Sequence, residues 1–291
     1  MKSGGLVVRV LLSAYFWLFL AFLLAPLVVL VVFAFNDSTT ATLPLEGLTT
    51  SWFSEAFTNG QLTDALVRSA MIAVAAAIIA TTLGLMASVG LTSDRLRLRS
   101  LTVASLMLPL VVPYISLAVG LVILLQALAV QTSLSAVVLG HVVIALPFAI
   151  LVLLPRLRTL DPSMNEAARD LGASDLTAFR LITLPLLGPA LVSSFLISFV
   201  TSFDEFAIAS FLAPSGQPTY PVFLYASSRT PALLPQVIAI GTLVIALSLA
   251  LVLGAEGGRR WAEKRLVGDE EFADEAGEEN LSDGLVMVAK S

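Results

Sequence analysis

The chain has 291 residues, 57% of them hydrophobic and only 13% charged, with a formal net charge of −5. A soluble domain of this length carries about 25% charged residues, so a mean hydropathy of +0.94 excludes an ordinary water-soluble enzyme. With no cysteine there is neither a disulfide framework nor a thiolate metal site, and the single histidine, His141, has no partner ligand nearby and reads as a packed or polar helix contact.

In chain order, the uncharged runs predict the elements. Residues 10–35 carry no charge and are long enough to cross a hydrocarbon core of about 30 Å at about 1.5 Å per residue. No small-x-small cleavage site follows them, so they read as a retained span and not a signal peptide. The loop 36–65 holds Asp37, Glu46, Glu55 and Asp64 and no basic residue, while Trp52, Phe53 and Phe57 predict a short helix lying at the membrane surface. An aromatic anchor is the plainer use of that helix; the acidic bias also favours the approach of cations. A second span is expected over 69–93.

Residues 100–155 are again uncharged and too long for one crossing. Gln126, Gln131, Thr132, Ser133 and Ser135 divide them into spans at 101–125 and 134–154, and Pro109 and Pro113 predict a kink in the first of these. A fifth span falls at about 190–212 and a sixth at about 233–255. The expected fold class is therefore an all-α integral membrane protein with six transmembrane helices.

Between the fourth and fifth spans, residues 161–189 carry mixed charge and read as two short helices broken at a glycine. Asp161 or Ser163 caps the first, Pro162 sits where a missing N–H costs nothing, and Ser163-x-x-Glu166 fits a capping box. Gly172 lets the backbone turn out, Ser174 or Asp175 caps the second helix to about Ile182, and Leu184-Pro185 ends it. Ala167 and Ala168 give the first helix a small-residue face that another surface can approach closely. This is a docking element. Basic residues then set the orientation. With the N-terminus inside, only Arg68 and Arg229 fall on the outer side, whereas Lys2, Arg9, Arg95, Arg97, Arg99, Arg156, Arg158, Arg169, Arg180, Arg259, Arg260, Lys264, Arg265 and Lys290 are cytoplasmic. Both termini and the docking element share that side. Residues 269–291 are acidic with little apolar periodicity and read as a disordered tail.

The fifth span contains the other informative segment, 198–206. Asp204 and Glu205 sit at membrane depth, where an ionised carboxylate costs on the order of 2.5–3.5 kcal/mol on insertion scales and must face a pathway, a partner or water. On a continuous helix, neighbours diverge by about 100°. Ser194, Ser198, Thr201 or Ser202, and Glu205 then form one polar stripe, with Asp204 on a face shared with Ile197, Val200 and Ile208. Glu205 is the better pathway candidate and Asp204 the better helix contact; a structural link to another helix is the alternative for the acids. Phe199, Phe203 and Phe206 share a neighbouring face, suited to packing or, beside carboxylates, to an organic cation. No G-x4-G-K-[ST] phosphate loop, Ser/His/Asp set or paired-histidine motif is present, so no residue is assigned a catalytic or metal-binding role.

Glu166-Ala167-Ala168, Gly172, Ile182 and Leu184-Pro185 fill every fixed position of the EAA signature, EAA-x3-G-x9-I-x-LP. The chain thereby resembles the integral-membrane permeases of binding-protein-dependent ABC importers, the type I class. The order S-F-x-x-S-F-D-E-F at 198–206, GLTTSWF at 47–53 and LPLVVPYISLAVG at 108–120 sharpen this to a resemblance to spermidine/putrescine-type permeases over about residues 10–265. The resemblance implies a permease domain at 1–265 with the coupling loop at 156–189, and leaves the tail 266–291 without a role. It further implies a second permease subunit, two ATP-binding subunits that hold ATP and Mg, and a periplasmic solute-binding protein at a bacterial inner membrane. No cofactor belongs to this chain itself, and nucleic acid is not among the expected partners. Glu166, Ala167, Ala168, Gly172, Ile182, Leu184 and Pro185 are implied to couple to the ATPase, and Glu205, Asp204, Ser202, Thr201 and Phe203 to line the substrate path. Permeases for iron, sulfate or other small solutes share much of this framework, and a secondary carrier with proton-coupling carboxylates is a rival reading that calls for more spans.

Overall fold

The computed structural model describes residues 3–92, 99–247 and 249–250. The acidic tail, the end of the sixth predicted span, and Lys2, Arg95, Arg97 and the C-terminal basic residues lie outside them. The described residues fall into two compact units, one within 1–53 and 238–291 and the other within 54–237.

The first unit contains helix α1 (Ser3–Ala34), the first predicted span, followed by an outer loop tied down by one asparagine. Asn36 Oδ1 accepts from the Glu46 N–H at 2.9 Å and its carbonyl accepts from the Trp52 indole at 2.8 Å. Phe35 packs on Phe53 with ring centroids 5.2 Å apart. The expected surface helix is α2 (Ser51–Thr58), and its indole is thus a structural anchor.

The second unit is built on α3 (Gly60–Thr92), α6 (Leu134–Arg158) and α9 (Gly188–Phe203), each packed against the other two. Lipid tails are as apolar as leucine, so helices in a membrane associate by close packing and interhelical hydrogen bonds more than by hydrophobic expulsion. Many of the residues buried here are accordingly small: Ala73, Ala76, Ala77, Ala80 and Gly84 on α3, Ala145 and Ala149 on α6 among larger residues such as Ile144 and Leu153, and Ala190, Ser194, Ser198 and Ser202 at every fourth position of α9. At Gly84 the approach is so close that a Cβ would stand 2.6 Å from Ala149 Cβ. α3 also begins earlier than expected, because Asp64 and Arg68 occupy its outer end, above the apolar part. Arg68 donates to the Pro218 carbonyl and Ser69 Oγ accepts from the Tyr220 N–H at 2.8 Å, strapping the 213–220 loop to this helix.

The remaining spans are broken. The third was expected to kink; instead α4 (Arg99–Met107) passes through a 3-10 turn at Leu108–Leu110 and restarts as α5 (Tyr114–Ala127), at 101°. Pro109 occupies the turn and Pro113 precedes α5, so two donors are missing within one helical turn and the α-helical ladder cannot continue. Ser133 then caps α6, its side chain accepting from the Ala136 N–H at 3.2 Å. The fifth span ends at Phe203 and resumes as α10 (Ala207–Leu212). After α11 (Tyr220–Ser227) comes a shorter apolar helix, α12 (Leu234–Leu247). Three helices are long and apolar enough to cross a membrane, five if each bent pair counts once, and α12 makes the described residues consistent with six.

Gly84→Val should lower stability by about 1–3 kcal/mol through overpacking, whereas Gly90→Ala, with nothing within 4 Å of its added Cβ, should change it little. Unfolding of the two variants in mixed detergent micelles measures the difference.

Candidate functional site

Two places gather the residues singled out above. The first is the hairpin between α6 and α9, formed by α7 (Pro162–Asp170) and α8 (Asp175–Leu186). Asp161 is the N-cap, its Oδ1 accepting from the Ser163 N–H at 2.9 Å. Ser163 therefore lies inside the helix, two positions past the N-cap, and cannot form the capping box expected with Glu166. At the other end, the Gly172 N–H reaches the Arg169 carbonyl at 2.8 Å and the Ala173 N–H reaches the Ala168 carbonyl at 2.9 Å. These paired bonds make a Schellman motif, and Gly172 adopts the φ of +88° that it requires. Ser174 caps α8, accepting from the Thr177 N–H at 3.2 Å.

Leu184-Pro185 does not end α8. A π-helical turn at Phe179–Thr183 precedes it, with the Leu184 N–H reaching back to the Phe179 carbonyl, and helix continues to Leu186 before a bend of 68° into α9. The wide turn accommodates a proline that has no N–H to offer. Thr183 donates to Asn165 Oδ1 at 3.3 Å and Arg169 meets Asp175 at 2.7 Å, so the two short helices are held together. That ion pair is exposed and contributes little.

Glu166 and Ala167 are exposed, and Ala168 and Ile182 are half-buried. Around them the hairpin exposes Leu171, Leu176 and Leu181 at 89%, 75% and 69%, together with Met164. These apolar side chains form a surface that sequence reasoning missed. The signal was present, since leucines interrupt an otherwise polar cytoplasmic segment, but their outward direction depends on the Schellman turn.

The second place is the break in the fifth span, Asp204–Phe206. α9 has 16 residues, so the break lies roughly 24 Å along the axis from Gly188. Because the helix stops at Phe203, facing cannot be extrapolated to Asp204 and Glu205 from helical periodicity. Glu205 is 5% exposed. Its Oε2 accepts from the Ala209 N–H at 3.1 Å, at the start of α10, and lies 3.3 Å from His141 Nε2 on α6. The imidazole contact is long and not aligned as a good hydrogen bond. On the other side of the ring, His141 Nδ1 is 2.7 Å from Ser202 Oγ. His141, Ser202 and Glu205 are all buried. The polar stripe continues inward, with Ser194 donating to Thr81 Oγ1 at 3.3 Å and Ser198 buried without a hydrogen-bond partner among the described residues. Ser194, Ser198, Ser202 and Glu205 thus face helix neighbours.

Asp204 is exposed, and its carboxylate makes no hydrogen bond or ion pair among the described residues. Thr201 is half-buried and donates to the Ile197 carbonyl of its own helix at 2.8 Å. Phe203 stacks on Phe199 at 5.7 Å and meets Tyr220 at 6.1 Å, continuing a ladder that starts at Phe195. The Tyr220 hydroxyl is buried and has no hydrogen-bond partner among the described residues. Phe206 leaves the face expected for it. Lying past the break, it packs on Tyr225 at 5.1 Å. No group of three or more His, Asp or Glu able to hold a metal occurs among the described residues.

The profile of the family described as "Binding-protein-dependent transport system inner membrane component" matches residues 80–267. The chain is 33% identical to the spermidine/putrescine transport system permease protein PotC of Haemophilus influenzae, over 83% of this chain and 93% of that protein. It is 35% identical to the putrescine transport system permease protein PotI of Escherichia coli K12, over 77% and 82% respectively. In fold it is similar to a subunit of a bacterial ABC transporter involved in the import of the acidic polysaccharide alginate, with a TM-score of 0.69 at 14% identity, covering 88% of this chain and 98% of that one. A second structure, of an alginate ABC transporter with its pentasaccharide-bound periplasmic protein, gives 0.64 at 18% identity, covering 87% and 93%.

The cap of α7 carries a pH dependence. The Ser163 N–H holds the Asp161 carboxyl below the usual aspartate range. The folded value lies below the unfolded one, so the cap contributes fully at pH above the ordinary aspartate value and is lost as pH falls through the depressed one. Hydrogen exchange at the Ser163 amide should stay protected at neutral pH and lose protection only in that acid range; Asp161→Ala should remove the protection at every pH.

Proposed function

Because the chain belongs to the binding-protein-dependent transport system inner membrane component family, and is thus a multi-pass inner-membrane permease subunit of an ABC importer and not an enzyme, we propose that it carries a polyamine of the spermidine or putrescine kind. The observation that carries this reading is the unpartnered Asp204 carboxylate at membrane depth, beside the ladder Phe195, Phe199, Phe203 and Tyr220. A carboxylate placed there is met by water or by a counter-charge from outside its own chain. A flexible organic cation supplies one, and its methylene segments and ammonium groups suit aromatic faces. The two named relatives, both polyamine permeases, support the same substrate class.

Asp204 is the acid that faces the path, with Phe203 and Thr201 beside it; Ser202 and Glu205 support it from behind. This chain pairs with a second permease subunit, and a periplasmic binding protein delivers the solute from the side of the 36–65 loop. Both termini and the α7–α8 hairpin are cytoplasmic. Residues 1–265 form the permease domain, and 266–291 are an appended tail. Two ATP-binding subunits hold ATP and Mg, and one of them receives the hairpin in a groove. Glu166, Ala167, Ala168 and Gly172 form the docking turn, and Ile182, Leu184 and Pro185 join it to the fifth span. Closure of the ATPase pair moves the hairpin, and because α8 runs into α9 through a single bend, the displacement reaches the break at Asp204. A capped, Schellman-closed hairpin is stiff enough to transmit force.

Gly172→Asp has nothing to clash with but is strained at φ +88°, and Glu166→Lys reverses a charge on the docking turn. Both variants should insert normally and abolish uptake; transport with normally stimulated ATP hydrolysis would remove the hairpin from coupling. Asp204→Asn should lower polyamine uptake about tenfold, the equivalent of ~1.4 kcal/mol. Unchanged uptake in both Asp204→Asn and Glu205→Gln would take the acids out of the pathway.

A further inference from the structure

We propose that His141 is a positioning residue that fixes the broken segment of the fifth span and thereby aims the Asp204 carboxylate out of the helix bundle. The inference rests on the reading of Asp204 as the pathway acid, and adds to it a residue on another helix, α6.

One imidazole touches both sides of the break. Ser202, in the last turn of α9, lies 2.7 Å from Nδ1, and Glu205, past the end of that helix, lies 3.3 Å from Nε2. With the ring proton on Nε2, the Ser202 hydroxyl donates to Nδ1, and the Nε2 edge lies 3.3 Å from the Glu205 carboxylate as a close polar contact without hydrogen-bond alignment. Glu205 Oε2 in turn accepts from the Ala209 N–H and ties the same ring to α10. Three pieces of backbone that are not continuous helix are therefore referred to one rigid group on α6.

The location on α6 is also fixed. Gly140, next to His141, sits where a Cβ would come 2.6 Å from the Ile208 side chain of α10. The backbone of α6 thus approaches α10 closely, and the imidazole of the next residue is delivered into the break. Asp204 is the residue between the two that His141 holds nearest, Phe203 aside. With Ser202 and Glu205 held inward, Asp204 has only the outward side. Removing the ring leaves Glu205 buried without its neighbour, and the break becomes free to rotate or to draw Asp204 inward.

The absence of cysteine in this chain allows the direction of residue 204 to be read without reference to transport. In the full importer reconstituted in nanodiscs, Asp204→Cys is labelled with a cationic methanethiosulfonate reagent and labelling is followed by the mass of this chain. The rate is then compared in the His141, His141→Leu and His141→Gln backgrounds, with Ser215→Cys in the exposed outer loop as the control site. His141→Leu should slow labelling at 204 about tenfold or more and leave labelling at 215 unchanged, and His141→Gln, which keeps a donor and an acceptor, should restore at least part of the rate. The pair His141→Leu with Glu205→Leu removes both polar partners, keeps the site apolar and so tests the tie without an orphaned charge; it should slow labelling at 204 as well. Equal rates at 204 in all backgrounds would overturn the proposal, as would no labelling at 204 when His141 is present. If labelling depends on His141 while Asp204→Asn leaves polyamine uptake unchanged, the positioning role stands and the pathway reading fails.

Discussion

A carboxylate below the headgroup region must be paired, hydrogen-bonded or in contact with water, and the architecture of the second unit follows from where that requirement is met. Glu205 meets it inside the chain, with the Ala209 N–H and the edge of His141. Asp204, its neighbour, does not. The difference arises because the helix stops between them and the preceding turn. A continuous helix would have distributed both side chains around one cylinder; the break turns one inward and leaves the other out. Burial of one acid is therefore what makes the other available.

The breaks depend on the packing around them. In a hydrocarbon phase, backbone groups freed from a helix need partners, and irregular backbone is tolerated only where protein surrounds it or water reaches it. α3, α6 and α9 provide such surroundings by close approach at Ala, Ser and Gly positions. Their serines meet Thr81 and His141 on neighbouring helices. The same economy of side-chain volume that lets the helices touch leaves few polar atoms to satisfy. It also brings α6 near enough to reach the break.

The α7–α8 hairpin solves a different problem, that of staying stiff outside the membrane without a core. None of the residues of α7 is buried, so its rigidity is local. It comes from the Asp161 cap, the Pro162 start, the Gly172 turn and the Asn165–Thr183 contact. Its leucines are exposed among the described residues, which suits the docking role proposed for it within an importer of this family.

Membrane class, the approximate spans and the EAA spacing were legible in the sequence because they depend on runs of residue type and on local turn chemistry. Uncharged length predicts a crossing whatever it packs against, and only glycine adopts the Gly172 conformation without strain. Local solutions that competed were only partly legible: the sequence left Asp161 or Ser163 open as the cap, the kink expected at Pro109 and Pro113 is a full break, and the end expected at Leu184-Pro185 is a π-helical turn with helix beyond it. The faces of Asp204, Glu205 and Phe206 were not legible at all, since periodicity holds only while the helix does. Their directions were decided by contacts distant in sequence, above all by His141, whose apolar surroundings in the chain gave no sign that it meets Ser202 and Glu205. Residue type and spacing determined what the chain is; the close packing of α3, α6 and α9, with α6 reaching the break at the end of α9, decided which of two adjacent acids is buried and which is free.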